Sequence, residues 1–172
     1  LRTATSYDVQ NAIDEGKLDI QGFYEDLGLV LYSEKGENDY LARDLAGQVR
    51  QRNGKIEFPV MFNLSELELK VDQRALQGLA FRLRSDSQII TAPELLQENN
   101  GKKFSRLNEF GVPIFEANGK YTFYSGDSGL RMLFRSGVSD RGARYGGLVG
   151  SNGGGRVIIY REATNANLGG KK

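Results

Sequence analysis

Two short segments in which apolar and polar residues alternate most constrain the fold of this chain. In Leu67–Val71, leucine and valine alternate with charged residues, and in Leu79–Leu83, leucine and phenylalanine alternate with alanine and arginine. A period of two places successive side chains on opposite faces of a β-strand, so that one face can be half buried. The connection 72–78 is short enough to join antiparallel strands. The pattern predicts an antiparallel pair whose acidic and basic polar residues face each other across the strands.

The clearest helical pattern lies in Asp39–Arg52, where Leu41, Leu45 and Val49 recur at the spacing of one helix face. Apolar periodicity together with capping and turn residues predicts shorter helices at 7–15 and 92–98. The same signals predict further strands at 18–24, 29–33, 55–62, 88–90, 112–117, 120–125, 130–135 and 157–161. We therefore expect an α+β fold with a mainly antiparallel sheet of about seven to nine strands and two or three packed helices.

Two local signals predict finer geometry. Asn118-Gly119 stands between two apolar runs. This pair is the strongest hairpin signal in the chain, since a type I′ turn needs two positive φ angles. Pro59 lies inside the predicted strand 55–62 and cannot donate a ladder hydrogen bond. It therefore predicts an edge position or a bulge.

A chain of 172 residues is most simply one domain, because domains usually run to about 100–200 residues. We assign residues 1–168 to a single globular domain with a mobile glycine-rich loop at 142–155, and residues 169–172 to a solvated tail. No apolar run approaches the roughly 20 residues that cross a bilayer, so no membrane partner is expected. The chain contains no cysteine, which is typical of a reducing compartment and favours a cytoplasmic location.

The chain also contains no histidine. Histidine is the commonest general base and the commonest metal ligand, so serine–histidine and cysteine–histidine nucleophilic sites are excluded. No Walker-type glycine-lysine motif occurs, and the glycine-rich run is followed by a strand instead of a helix. We therefore expect no nucleotide cofactor.

Glu57, Glu68 and Lys70 offer one catalytic alternative, a Mg²⁺-dependent nuclease. Glu68 and Lys70 are separated by one residue on a predicted strand, which is the arrangement of restriction-type nucleases. In such sites two carboxylates hold the metal and a lysine assists the attacking water. Ion pairs with basic residues of the neighbouring strand explain the same side chains without chemistry.

Charge is divided unevenly along the chain. Residues 1–100 carry 11 basic and 17 acidic side chains, whereas residues 101–172 carry 12 basic and 5 acidic ones. Such a division predicts an anionic partner for the basic part, or attraction between the two parts within a molecule or between neighbouring molecules.

The basic part interleaves arginine and lysine with aromatic residues. Arginine binds phosphates through two parallel hydrogen bonds, and exposed aromatic rings stack on unpaired bases. Half of residues 142–155 are glycine, so this loop could become ordered on a phosphate backbone. The sequence thus predicts a non-catalytic nucleic-acid-binding module, with RNA or another single strand favoured. The predicted binding residues are Lys102, Lys103, Arg106, Tyr124, Arg131, Arg135, Arg141, Arg144, Tyr145, Arg156 and Arg161.

The main alternative is a structural subunit of a shell, tube or filament. Acidic and basic parts of neighbouring subunits would then contact each other, in a homo- or hetero-oligomer. The sequence leaves both functions open.

Overall fold

The computed structural model describes residues 2–4, 6–19, 25–136, 140–146, 148 and 159–160. Within these residues lie two α-helices, α1 (Ser6–Asp14) and α2 (Asp39–Asn53). The strands are β1 (Arg2–Thr3), β2 (Glu25–Leu31), β3 (Val60–Asn63), β4 (Leu67–Val71), β5 (Leu79–Leu83), β6 (Ile90–Thr91), β7 (Lys103–Leu107), β8 (Pro113–Phe115), β9 (Tyr121–Tyr124), β10 (Leu130–Arg135), β11 (Arg141–Tyr145) and β12 (Ile159–Tyr160). In this described part of the chain, neither helix is long and apolar enough to cross a membrane.

Eight strands form one sheet in the order β6-β3-β2-β10-β11-β9-β7-β8. Every neighbouring pair is antiparallel except β9 and β11, which are parallel. Two further pairs, β1 with β12 and β4 with β5, form separate two-stranded sheets. The predicted α+β class with a mainly antiparallel sheet is confirmed.

The described residues pack into two apolar cores. The first joins α2 to β2, β3, β5 and β10, with Leu45 and Val49 of the helix at its centre. The second joins Val30 and Met61 to Phe104 and Phe123. The neighbouring strands β3 and β2 carry the first two residues and the neighbouring strands β9 and β7 the other two, with β10 and β11 between the pairs, so the sheet must curl around this core. Burying each large apolar side chain stabilises the fold by about 1.5–3 kcal/mol.

Helix α2 forms as its apolar period predicts. The residue before it does not cap the helix with its side chain but binds two other segments of the chain. Asn38 adopts a left-handed conformation at the start of the helix, and its side chain does not cap it. Instead, the Asn38 amide donates hydrogen bonds to the carbonyls of Leu130 and Gly146, each at 2.8 Å. Gly54, with a φ of 77°, ends the helix. Asn38 thus ties the start of α2 to β10 and to the residue that follows β11.

The predicted pair β4–β5 is confirmed, with Glu68 directly opposite Arg82. Lys70 instead pairs with Asp44 of α2, at an Nζ–carboxylate distance of 2.8 Å. The other edge of β5 is covered by Gln48 of α2. The Gln48 amide donates to the carbonyl of Phe81 and accepts from the N–H of Leu83. A helix side chain therefore takes the place of a neighbouring strand.

The predicted hairpin at Asn118-Gly119 is wrong. The flanking strands β8 and β9 do not pair with each other, because β7 lies between them and pairs with both. Neither Asn118 nor Gly119 adopts a positive φ. A Cβ at Gly119 would collide with the backbone of Phe104. This glycine therefore permits close approach to β7 and does not form a type I′ turn.

Smaller differences concern the ends of elements. Pro59 precedes β3, which lies inside the sheet between β2 and β6 and not at an edge. The predicted helix 92–98 forms two short 3-10 helices, Pro93–Leu95 and Gln97–Asn99.

Of the predicted mobile loop, residues 142–145 belong to β11, whereas 147 and 149–155 lie outside the described residues. Residues 20–24 of the predicted strand 18–24, and the tail 169–172, also lie outside them.

Candidate nucleic-acid interface

Three neighbouring strands bring basic and aromatic side chains together at one end of the sheet. Lys103 of β7 lies directly opposite Thr122 of β9, and its ammonium donates a hydrogen bond to the Thr122 hydroxyl at 2.7 Å. Tyr124 lies two residues further along β9 and therefore projects from the same face. Lys103 is exposed and Tyr124 is partly exposed.

Arg144 extends this surface onto β11. Because β11 runs parallel to β9, with Gly142 beside Tyr124, Arg144 comes close to the tyrosine ring. Its guanidinium carbon lies 4.5 Å from the centre of the Tyr124 ring, and its side chain is exposed. A cation over an aromatic face at this distance is attracted by about 0.5–1 kcal/mol when exposed. The contact positions the planar, positively charged guanidinium of Arg144 at the surface.

Lys102 and Phe115 line a shallow cleft beside Lys103. The Lys102 ammonium donates to the Asn99 side-chain carbonyl at 2.6 Å and lies 5.8 Å from the centre of the Phe115 ring. The cleft has a volume of about 320 Å³ and is lined by Gly101, Lys102, Lys103, Phe115, Glu116 and Ala117. This volume is at the lower end of the range for small-ligand sites. We call Lys102, Lys103, Tyr124 and Arg144 the cationic surface.

Neutralisation by carboxylates separates the predicted binding residues into two groups. Arg131 forms an ion pair with Asp127 at 2.6 Å and donates to the carbonyls of Ser128 and Arg144. Its guanidinium therefore connects β11 to the turn that precedes β10. By contrast, four of the predicted binding residues form no ion pair with any carboxylate of the described residues. These are Lys102, Lys103, Arg106 and Arg144.

Arg135 and Arg141 do not lie at the surface, although the sequence predicts them as binding residues. They face each other across β10 and β11, and both side chains are fully buried. The guanidinium of Arg135 lies 3.5 Å from the Glu25 carboxylate. Burial lowers the pKa of Arg135, and burial together with the charge of Arg135 holds the pKa of Arg141 well below its usual range. Their place near the middle of a curled sheet, which no local pattern reveals, explains the difference.

The remaining predicted binding residues are only partly described. Tyr145 lies in β11 opposite Met132. Arg156 and Arg161 lie outside the described residues.

Two of the three residues of the nuclease alternative form ion pairs, and the third lies opposite a basic residue. Glu57 precedes β3 and forms an ion pair with Lys55 at 2.6 Å. Lys70 binds Asp44, and Glu68 lies opposite Arg82. Across the described ranges, no group of three or more acidic side chains could hold a metal ion. The two ion pairs account for Glu57 and Lys70 structurally, and Glu68 is an exposed residue of β4.

Comparison of the chain with family models, with curated proteins and with solved structures finds no match. A function must therefore be inferred from the residues of the chain itself.

Thr122 and Phe115 are absent from the sequence-based prediction of the interface. Neither is basic, and each comes beside a lysine only because β7 lies between β8 and β9.

Proposed function

We propose that the protein is a non-catalytic module that binds a single-stranded nucleic acid, with RNA favoured, through the cationic surface. The observation that carries this proposal is the grouping of exposed cations beside two aromatic rings. Lys102, Lys103 and Arg144 have no carboxylate partner among the described residues, and they lie near Phe115 and Tyr124. Cations whose charge no neighbouring carboxylate neutralises can bind phosphates.

The chemistry of this surface suits an unpaired strand. Lysine ammonium groups bind phosphate oxygens as point charges, whereas the planar guanidinium of Arg144 can form two parallel hydrogen bonds to one phosphate. The partly buried ring of Phe115 lines the cleft, where we expect it to contact an unstacked base. Base–aromatic stacking contributes about 1–3 kcal/mol per base and depends little on sequence. In a duplex the bases are already stacked, so their faces cannot reach such a ring.

Salt dependence of binding gives the test. Fluorescence anisotropy with a labelled single-stranded RNA measures the affinity between about 50 and 200 mM salt. Replacing Lys102 and Lys103 together with alanine removes two phosphate contacts, so the slope of log K against log salt should fall by roughly 0.7 per contact. The matched control replaces the exposed Lys35 and Lys55 with alanine, which removes the same charge elsewhere.

Three outcomes decide the proposal. A reduced slope and a weaker affinity in the first variant, with the control close to the parent protein, support it. An equal loss in both variants would mean that only total charge matters, which would remove the cationic surface from the proposal. Absence of binding by the parent protein at low salt would overturn the function itself.

A further inference from the structure

Strand β4 has one edge that no other described element covers. Asp72 donates its N–H to the carbonyl of Gly78, so the backbone groups of residues 72, 70 and 68 point towards β5. Gln48 binds the backbone of Phe81 and Leu83, which confirms that the alternate residues point away from the pair. The N–H and C=O groups of Leu69 and Val71 and the C=O group of Leu67 therefore point outwards, whereas the N–H of Leu67 donates to the carbonyl of Leu64. Within the described part of the chain, no strand pairs with them.

The side chains on this open edge are apolar and exposed. Leu69 is 66 % exposed and Val71 is 79 % exposed, and Leu79, directly opposite Val71, is 42 % exposed. Proteins usually protect an edge strand with charges, proline or a covering element, because free backbone groups pair with other chains. The edge of β5 is protected by Gln48, whereas the edge of β4 carries apolar side chains and free backbone groups together. This combination favours addition of a further strand.

We propose that the strand added to β4 is β4 of a second copy of the chain, related by a two-fold axis at Leu69. The sequence Leu67–Val71, LELKV, is complementary to itself in antiparallel orientation. With the axis at Leu69, each Glu68 lies opposite Lys70 of the other copy, and each Leu67 lies opposite Val71 of the other copy. Opposite charges directly across a strand pair stabilise it.

The same charges reject the neighbouring registers. An axis at Glu68 would place two glutamates opposite each other, and an axis at Lys70 would place two lysines opposite each other, which destabilises strand pairing. The register centred on Leu69 also pairs outward-facing residues only with outward-facing residues. The two Leu69 residues can exchange two backbone hydrogen bonds, and each Val71 N–H can donate to the Leu67 carbonyl of the other copy, because only the Leu67 N–H is already bonded, to Leu64. The result is a continuous sheet of four strands with an isologous interface.

Disulfide trapping tests both the association and its register. The chain contains no cysteine, so a single introduced cysteine can only react with its copy. In the proposed dimer, two residues at position 69 lie about 5.5 Å apart between Cα atoms, within the range of a disulfide. Two residues at position 71 are offset by four positions, or roughly 14 Å. Under mild oxidation, Leu69→Cys should form a covalent dimer, whereas Val71→Cys, a control at a more exposed position, should remain monomeric.

Sedimentation of the complete chain measures the association without cross-linking. The parent protein should dimerise, and Leu69→Asp should weaken the dimer by about tenfold or more, because two carboxylates would face each other at the axis. The control Leu76→Asp changes a residue that is 96 % exposed in the connection between β4 and β5. It should leave the dimer unchanged. If Leu69→Asp does not fold, Glu68→Lys at an exposed position repeats the test by placing lysines opposite each other.

The proposal is overturned if the parent protein stays monomeric at about 100 μM, a hundredfold above the concentration that a micromolar complex requires. It is also overturned if position 71 cross-links as fast as position 69, or if both aspartate variants weaken the dimer equally. This inference does not rest on the proposed nucleic-acid binding, because β4 contributes no residue to the cationic surface. RNA affinity measured on Leu69→Asp therefore reports on the two proposals separately.

Discussion

Tyr32 follows β2 and lies at a junction where a single hydroxyl holds two loops. The side chain is buried, and its hydroxyl donates to the carbonyl of Leu95 at 2.8 Å and accepts from the N–H of Gly126 at 3.0 Å. Burial raises the pKa of this hydroxyl, so it remains a donor throughout the neutral range. The Tyr32→Phe change keeps the ring and removes both hydrogen bonds.

The expected loss follows from the two backbone groups that the change leaves behind. Leu95 and Gly126 are both buried, and each unsatisfied buried group costs about 1–3 kcal/mol. Relaxation of the loops reduces the combined cost of the two groups, so we expect Tyr32→Phe to lower the free energy of unfolding by about 3 kcal/mol. At about 2–4 °C per kcal/mol, the midpoint of thermal unfolding should fall by roughly 10 °C.

Urea unfolding followed by circular dichroism measures the change. The control Tyr7→Phe removes the hydroxyl of an exposed tyrosine, and should alter the free energy of unfolding by no more than about 0.5 kcal/mol. Loss of less than about 1 kcal/mol in Tyr32→Phe, with an unchanged urea dependence, would refute the reasoning. It would mean that the two backbone groups find other partners or are not buried in solution.

Two further changes probe backbone packing and pH dependence. Gly129→Ala should destabilise the protein by more than Gly78→Ala: both glycines have a positive φ, but a Cβ at position 129 would collide with the backbone of Glu37, whereas one at position 78 would meet nothing. Thermal unfolding of the two variants measures the difference, and equal midpoints would contradict the packing. The Arg74 guanidinium and a tyrosine hydroxyl hold the pKa of Asp72 well below its usual range, so this residue stabilises the fold above about pH 4 and loses that effect as the pH falls. Asp72→Asn should therefore cost more stability at pH 6 than at pH 2 in urea unfolding, because the effect fades only as the pH falls from about 4 towards the lowered pKa of the folded state. An equal loss at both pH values would contradict this assignment.

Local patterns account for the elements that the sequence predicts correctly. Helix α2 follows from the spacing of Leu41, Leu45 and Val49, and the β4–β5 pair follows from strict alternation. In both cases residues close in the sequence also pack together. The basic and aromatic residues of the cationic surface are likewise recognisable by type, as with Lys103 and Arg144.

The structure differs from the sequence-based prediction where contacts between distant segments determine the fold. The signal at Asn118-Gly119 is overridden because β7 pairs with both flanking strands, and only the complete sheet places it there. Arginine is usually exposed, so Arg135 and Arg141 are predicted at the surface. Both are buried, because the strands that carry them lie at the centre of a curled sheet. The open edge of β4 could not be predicted either, because it depends on which strand edge Gln48 covers.

The pairing of β2 with β10 has a consequence for how the chain reaches its fold. This pairing joins Leu31 to Leu130, so a strand near the start of the chain gains its central neighbour only after most of the sequence exists. Contacts between such distant residues require closure of a long loop, which slows folding. During synthesis, β2 can pair with β3 on one side while its other edge stays open to wrong partners. We therefore expect the growing chain to depend on protection of that edge until β10 has left the ribosome.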